Sequence, residues 1–315
     1  MKVVRLRRRH AVLLVLAVAA AVYTSLAVSP AAAGAPVGAS ADCYDFSSVS
    51  LLGSAASSAR GAEGREPSLK QVAEEVPASA QGKGGKSFRA TVPVYFHVVT
   101  PDGVTGNVTL NQINAEIRAM NAGFSGAEGG VDTGFRFSLS GVDRTVNAEW
   151  YLAGPTTSAE RAMKKALKQG GANALNYYST TAGAFLGWSY FPNIVENGTS
   201  YRDGIVVDWQ SMPGTSTRYA GKYDLGKTGT HEAGHWVNLY HTFQGACNNW
   251  GDYVDDTPAQ SVATFGCPEG QDTCSEPGLD PIHNYMDYSF DSCYDQFTAG
   301  QAARMQDAWL HWRAP

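Results

Sequence analysis

The sequence predicts an α+β fold, with a twisted mixed β-sheet and helices first, a central helix next, and a loop-rich part that ends in another helix. Three observations predict it. Short stretches rich in Val, Tyr and Phe alternate with amphipathic helical patterns between residues 88 and 236. A segment rich in Asp, Pro and Gly follows, and it holds four of the five cysteines. A capped amphipathic helix comes last.

The composition allows one large domain or two smaller ones, with an ample core, because the chain has 315 residues of which 43% are hydrophobic. The formal charge of −5 and the 17% of charged residues give no basic surface of the kind that binds nucleic acid. No nucleic-acid partner is therefore expected, and the oligomeric state is left open.

Residues 1–33 have the pattern of a secretory signal peptide. Five of the first nine residues are basic, Ala11–Val28 is apolar, and Ala31–Ala33 offers a cleavage site of small residues. The alternative is a retained membrane anchor. The signal peptide predicts a secreted, extracellular protein that has no membrane contact after cleavage.

Residues 34–87 are rich in Ala, Ser, Gly and Glu, and they end in the flexible basic stretch 81–87. We interpret them as a pro-segment and linker, and the alternative is a plain disordered spacer. Regular patterning resumes at Phe88. Residues 88–315 are therefore predicted to form the folded domain.

The first strand and the first helix have the clearest patterns. Thr91–Thr100 alternates and is rich in Val, Tyr and Phe, which predicts a strand. Thr109 and Gln112 form a capping box at the start of a helix that runs to Phe124. The apolar face of that helix consists of Leu110, Ile113, Ile117, Met120 and Phe124.

The later elements complete the fold class. A second strand is marked by alternate apolar residues, and a helix capped by Ser158 runs through Lys168. The second strand contains Phe135, Phe137 and Leu139, and further strands are predicted at Ala174–Tyr178, Leu186–Ser189 and Gly204–Trp209. The central helix starts near Lys227 or Thr228, and the final helix starts at a capping box of Thr298 and Gln301.

The central helix carries three histidines and one glutamate within eleven residues. His231 and His235 are four residues apart, so both rings project from one helix face and can take two corners of a zinc tetrahedron. Glu232 lies about 100° around the helix from His231, where it can act as a base on a water beside the metal. His241 can join them only if the helix ends near Asn238, and Asn tolerates the left-handed conformation that such a turn requires.

Two other interpretations of this helix are an ordinary amphipathic helix with two histidines and a zinc-stabilised binding domain without turnover. Glu232 argues against the second, because a structural zinc site needs no base and closes its fourth position. Metal-assisted hydrolysis is therefore the preferred interpretation.

The cysteines fit an exported protein. Cys247, Cys267, Cys274 and Cys293 follow the central helix, and an even set in an exported chain indicates two disulfides. Four cysteines allow three pairings, and the spacing does not choose among them. Cys43 is left over, within the predicted pro-segment.

The segment Asn284-Tyr285-Met286-Asp287-Tyr288 places a methionine-containing turn after the histidine motif, which is the metzincin signature. With the His-Glu-x-Gly-His-Trp-x-Asn-Leu-x-His motif and Asp256-Thr257-Pro258, the chain resembles the pappalysin family of metzincin endopeptidases from about Phe88 to Trp312. The resemblance implies a metzincin-like catalytic domain that hydrolyses protein or peptide substrates. With the predicted pro-segment, it implies synthesis as a zymogen.

The resemblance implies a role for each residue of the motif and the turn. The zinc ligands would be His231, His235 and His241, and Glu232 would be the general base and acid. Met286 would form a hydrophobic floor under the metal. Tyr288 would stabilise the oxyanion, for which a phenol is a suitable donor, and the alternative is a packed aromatic beside the turn.

Asp291 is the specificity residue that the resemblance implies. It would line the pocket for the residue just after the scissile bond and favour Arg or Lys there, because a carboxylate pairs with a guanidinium bidentately. The alternative is a solvated loop aspartate.

The resemblance also implies a calcium loop and a disulfide pairing. Asp252, Val254 and Thr257 would hold a structural calcium ion through oxygen ligands, with charge added by Asp255 and Asp256, and the alternative is an acidic solvated loop. The disulfides would join Cys247 to Cys274 and Cys267 to Cys293.

Cys43 is a candidate latency switch. A thiolate from the pro-segment can cap the zinc and hold the enzyme latent, as a cysteine switch does in other metzincins. The alternative is a free or intermolecular cysteine.

Overall fold

The computed structural model describes residues 88–183, 185–196, 198–248 and 251–315. The predicted signal peptide and the predicted pro-segment and linker, including Cys43, lie outside these residues. Within the described ranges, no helix has the length and apolar character to cross a membrane.

In the described residues the strands lie between positions 90 and 208, and helices lie among the strands and after them. The strands are β1 (Ala90–Thr100), β2 (Phe135–Val146), β3 (Leu175–Thr180), β4 (Gly187–Trp188) and β5 (Ile205–Asp208). The α-helices are α1 (Leu110–Phe124), α2 (Ala148–Tyr151), α3 (Ser158–Leu167), α4 (Lys227–Trp236) and α5 (Ala299–Ala308). Short 3₁₀ turns occupy Pro192–Val195, Ser200–Arg202 and Trp209–Ser211, and a π-helical turn, Trp309–Arg313, continues α5.

The sheet is mixed, as predicted, with the strand order β2-β1-β3-β5-β4. The pairs β1–β2, β1–β3 and β3–β5 are parallel, and such pairs need crossover connections. Helix α1 lies between β1 and β2 in the chain, and β4 with two 3₁₀ turns lies between β3 and β5. Only the short strand β4 runs antiparallel among these described pairs, with Gly187 opposite Val207 and Trp188 opposite Val206. This strand lies at one edge of the sheet, and the edge positions the site.

Helix α1 forms as its pattern predicts. The backbone N–H of Gln112 donates to Thr109 Oγ1 and the N–H of Thr109 donates to Gln112 Oε1, so the capping box is present. The helix buries Ile113, Met120 and Phe124 in the core. One assignment is wrong: Leu110 is 53% exposed, because it occupies the first helical position and the buried face begins one turn later.

The cap of α3 is also corrected. Thr157, in an extended conformation, accepts a hydrogen bond from the N–H of Glu160, so Thr157 is the N-cap and Ser158 is the first helical residue. The hydroxyl of an extended residue can reach the third helical N–H, whereas a residue already in the helix cannot. Helix α2, of four residues, was not predicted.

The part after α4 has little regular structure until α5 in its described residues. Two disulfides join Cys247 to Cys274 and Cys267 to Cys293, which is the pairing that the resemblance implies. Helix α5 starts at the predicted capping box of Thr298 and Gln301. The disulfides hold the loops that bring the methionine turn beneath α4.

Candidate active site

The three predicted histidines converge in the structure. His235 Nε2 lies 3.1 Å from His231 Nε2 and 3.0 Å from His241 Nε2, and all three side chains are buried. Nitrogens bound tetrahedrally to one zinc ion at 2.0–2.1 Å would be about 3.3 Å apart. The three rings therefore fit a single metal ion.

Backbone carbonyls orient two of the rings. His231 Nδ1 lies 2.6 Å from the carbonyl oxygen of Tyr285, and His235 Nδ1 lies 2.7 Å from that of Leu239. A carbonyl oxygen only accepts, so each Nδ1 carries the proton and donates it. The Nε2 of each ring then presents its lone pair to the others, which suits a cation between them.

The end of α4 explains how the third histidine reaches the other two. Asn238 has a φ of 79°, as predicted for a left-handed residue. Its N–H donates to the His235 carbonyl, and the N–H of Leu239 donates to the Gly234 carbonyl, both at 2.9 Å. These two bonds form a Schellman motif, which ends the helix and returns the chain toward His241.

Glu232 is fully buried beside the edge strand. A Cβ built on Gly187 of β4 would lie 2.9 Å from Glu232 Cγ and 3.0 Å from its Oε1. The strand therefore passes directly over this carboxyl group, and only a residue without a side chain leaves room for it. Sequence reasoning missed Gly187, although a glycine inside a strand often marks such a close approach.

The methionine turn packs under α4. A Cβ on Gly234 would lie 2.5 Å from Met286 Sδ, so the sulfur touches the helix between the two histidines. Asn284 holds the turn, because its Oδ1 accepts from the N–H of Met286 at 3.0 Å and its amide pairs with that of Gln301. The contact with Gly234 was also missed from the sequence.

Tyr288 lies beside the histidines. Its ring centroid is 4.9 Å from that of His241 and 5.9 Å from that of His231. Phe243 and Phe265 pack on it with centroids 4.9 and 6.2 Å away. The phenol is thus packed within an aromatic group and adjacent to the histidine rings.

Asp291 is buried rather than solvated, with 1% exposure. Its Oδ2 accepts from the N–H groups of Leu225 at 2.9 Å and Lys227 at 3.3 Å. The carboxylate therefore stabilises the N-terminal end of α4, where the helix dipole favours negative charge. It follows Phe290, whose ring packs edge-on against Tyr223.

The three residues of the predicted calcium loop lie together. Asp252 Oδ1 accepts from the N–H of Val254 at 3.1 Å. Asp252 Oδ2 and Thr257 Oγ1 are both buried, and burial raises the pKa of Asp252 to about 8, although Arg304 and the Thr257 hydroxyl lower it. Such oxygens fit a hard cation. Asp256 binds the N–H of Gly300 at the start of α5 instead.

Comparisons with known proteins find relatives of this chain. The family model described as pregnancy-associated plasma protein-A matches residues 215–309. An extracellular metalloprotease of Neurospora crassa is 45% identical over 253 residues, which cover 78% of this chain and 84% of the relative. Mature mirolysin of Tannerella forsythia, solved with a cleaved peptide, is 26% identical, with a TM-score of 0.60 over 71% of this chain and 92% of mirolysin. A promirolysin mutant from the same organism is 25% identical, with a TM-score of 0.62 over 72% of this chain and 83% of its own.

Proposed function

Because the chain belongs to the pappalysin family of extracellular metalloendopeptidases, we propose that it is a zinc-dependent endopeptidase with His231, His235 and His241 as the zinc ligands. The observation that carries the proposal is the convergence of the three rings, with His235 Nε2 lying 3.1 Å from His231 Nε2 and 3.0 Å from His241 Nε2, next to a buried glutamate. A zinc ion held there would supply Lewis-acid chemistry, lowering the pKa of a water toward about 7 and polarising the scissile carbonyl.

The protein's own residues move the protons. Glu232 accepts a proton at its carboxylate from the attacking water and delivers it to the leaving amine nitrogen. Glu232 is buried where α4 meets β4, and this burial keeps bulk water away from the proton transfer. The hydroxyl of Tyr288 donates to the oxyanion that forms at the carbonyl, and the aromatic contacts of Tyr288 keep the ring close to the histidines.

Strand β4 is the proposed binding edge for the substrate. An extended peptide can add to a sheet edge through main-chain hydrogen bonds, and Gly187 of this edge lies over Glu232. Leu186, before the strand, packs near Tyr223 and Phe290. A peptide antiparallel to β4 would therefore place the residues after its scissile bond at the end where Asp291 lies.

We propose that Asp291 favours Arg or Lys just after the scissile bond. Its position at this end of β4 and its burial support the proposal, because a buried carboxylate pairs strongly with a guanidinium. The contacts with the N–H groups of Leu225 and Lys227 fix the carboxylate in place.

We propose further that the loop of Asp252, Val254 and Thr257 holds a structural calcium ion. The support is chemical: a buried carboxylate oxygen of Asp252 and the buried hydroxyl oxygen of Thr257 belong to the same loop. Binding of a cation would offset the cost of burying that charge.

We propose that the protein is made as a zymogen whose pro-segment comprises residues 34–87. The likeness to promirolysin supports this proposal. Cys43 would be the latency switch. A Cys43→Ala zymogen should then be active before processing. A Cys43→Ala zymogen that stays latent would exclude the switch, and the proposed catalytic site would still stand.

One assay tests the proposed activity. The activated, secreted protein should cleave casein or gelatin, lose this activity with a zinc chelator and regain it when zinc is restored. Glu232→Ala should be inactive, whereas Glu149→Ala, at an exposed position of α2, should remain active. If the activated wild type cleaves nothing, the domain binds zinc or a partner without turnover.

A further inference from the structure

We propose that Arg304 and Arg313, which lie in and just after α5, are positioning residues of the zinc site. Each binds a backbone carbonyl at the C-terminal end of α4, and together they fix where His235 and His241 stand. The inference rests on the proposed zinc ligation and names two residues that the histidine motif does not contain.

Arg313 binds the last residue of α4. Its Nε donates to the carbonyl oxygen of Trp236 at 2.9 Å, and its guanidinium carbon lies 3.7 Å from the centroid of the Trp236 ring. Its Nη1 and Nη2 donate to Asp203 at 3.2 and 3.0 Å, and Trp236 Nε1 donates to the same carboxylate at 3.0 Å. Arg313, Asp203 and Trp236 are thus one buried, charge-balanced unit directly after His235.

Arg304 binds the turn that follows. Its Nε donates to the carbonyl oxygen of Asn238 at 2.6 Å, and its guanidinium lies 4.7 Å from the ring centroid of Tyr240. Asn238 is the left-handed residue of the Schellman motif, and Tyr240 directly precedes His241. Arg304 therefore contacts the segment that returns His241 toward the other two histidines at two points, the Asn238 carbonyl and the Tyr240 ring.

The end of a helix explains why a donor is needed here. The last four carbonyls of an α-helix have no regular intrahelical partner. The turn supplies N–H donors for Ala233, Gly234 and His235, and the side chain of Arg313 supplies one for Trp236. A cation also suits the negative end of the helix dipole.

The route from these arginines to the metal is short. The carbonyl of Leu239, the residue after Asn238, accepts from His235 Nδ1 at 2.7 Å. A displaced Asn238–Leu239 peptide would therefore turn the His235 ring and shift His241 as well. Metal sites tolerate deviations of only about 0.2 Å in ligand distance, so small displacements should reduce zinc affinity.

The test uses Arg304→Lys and Arg313→Lys in the full secreted protein at saturating calcium. Lysine keeps the positive charge but cannot reproduce the planar set of guanidinium bonds. Zinc affinity is measured by competition with a chromogenic chelator, and we expect each variant to bind zinc about tenfold more weakly or worse. In the zinc-saturated variants kcat should fall while KM stays unchanged, because neither arginine contacts β4 in the described interactions.

Arg136→Lys is the matched control. Arg136 of β2 also donates to a backbone carbonyl, that of Phe135, and to a carboxylate, that of Asp132, but neither partner belongs to α4 or to the unit of Arg313, Asp203 and Trp236. This variant should leave zinc affinity unchanged. Unaltered zinc affinity in both arginine variants, or an equal loss in Arg136→Lys, would overturn the inference. A wild type that binds no zinc would instead contradict the proposed function, and this inference with it.

Discussion

Gly187 of the edge strand lies against the carboxyl group of Glu232. A Cβ at position 187 would be 2.9 Å from Glu232 Cγ and 2.9 Å from the carbonyl oxygen of Val206. Val206 is held in the sheet between β3 and β4 and cannot yield, so the carboxyl group would have to move. The strand that is proposed to bind the substrate thus also sets the place of the proposed catalytic base.

Gly187→Ala should therefore lower kcat. A misplacement of about 1 Å at a catalytic group costs on the order of 100-fold in rate, and we expect a loss of that size with zinc content unchanged. Gly154→Ala is the control, because a Cβ there meets no atom within 4 Å. Wild-type kcat in Gly187→Ala would show that Glu232 is not confined by the strand.

Asp291→Asn should alter specificity more than stability. Asn keeps an acceptor for the N–H groups of Leu225 and Lys227 but removes the charge that would bind a guanidinium. Peptide-library profiling should show a preference for Arg or Lys just after the scissile bond in the wild type, weakened about tenfold or more in the variant. A wild type without a basic preference at that position would exclude the proposed role.

Removal of calcium should lower Tm even when zinc is saturating. A calcium-specific chelator would remove the cation that the Asp252 carboxylate is proposed to bind, and the folded state would lose the stabilisation that calcium binding gives it. Asp252→Asn should melt at the same temperature with and without the chelator. If the chelator does not lower the Tm of the wild type either, the calcium assignment is wrong.

Glu116 should make stability depend on pH. It is fully buried on α1, accepts a hydrogen bond from the Tyr177 hydroxyl at 2.9 Å and faces Gly229 of α4. Burial raises the pKa of Glu116 from 4.5 to about 8. Between these values the folded state holds one proton more than the unfolded state, so the free energy of unfolding falls as pH rises through this window.

Glu116→Gln removes this titration. In urea denaturation, the free energy of unfolding of the wild type should fall relative to that of Glu116→Gln between about pH 5 and about pH 8.5. Below the pKa of Glu116 in the unfolded state, the free energies of the two proteins should change with pH in parallel. Exposed Glu149→Gln should parallel the wild type throughout. Parallel curves for Glu116→Gln and the wild type would contradict the raised pKa.

The parts of the site that follow from local rules could be predicted from the sequence. The spacing of His231 and His235 fixes one helix face, and Asn238 marks the left-handed end of that helix, because both depend only on residues within a turn or two. The capping boxes at Thr109 and Thr298 are local in the same sense, and both are present.

The contacts that complete the site could not be predicted in this way. Arg304 and Arg313 bind carbonyls 66 and 77 residues away along the chain, and the approach of Gly187 to Glu232 depends on how β4 pairs at the sheet edge. Such contacts arise from tertiary packing, for which propensity and periodicity carry no information. Asp291 shows the same limit, since its burial at the start of α4 has no local signal.

The most direct test of the account measures zinc content and peptidase activity together in the wild type and in Glu232→Gln. If the three histidines hold the metal without help from the glutamate, both proteins should contain about one zinc ion per chain. If the glutamate is the general base, only the activated wild type should cleave casein. Equal activity in the two proteins would contradict the central claim. So would a wild type that contains no zinc after purification and takes up none when zinc is added.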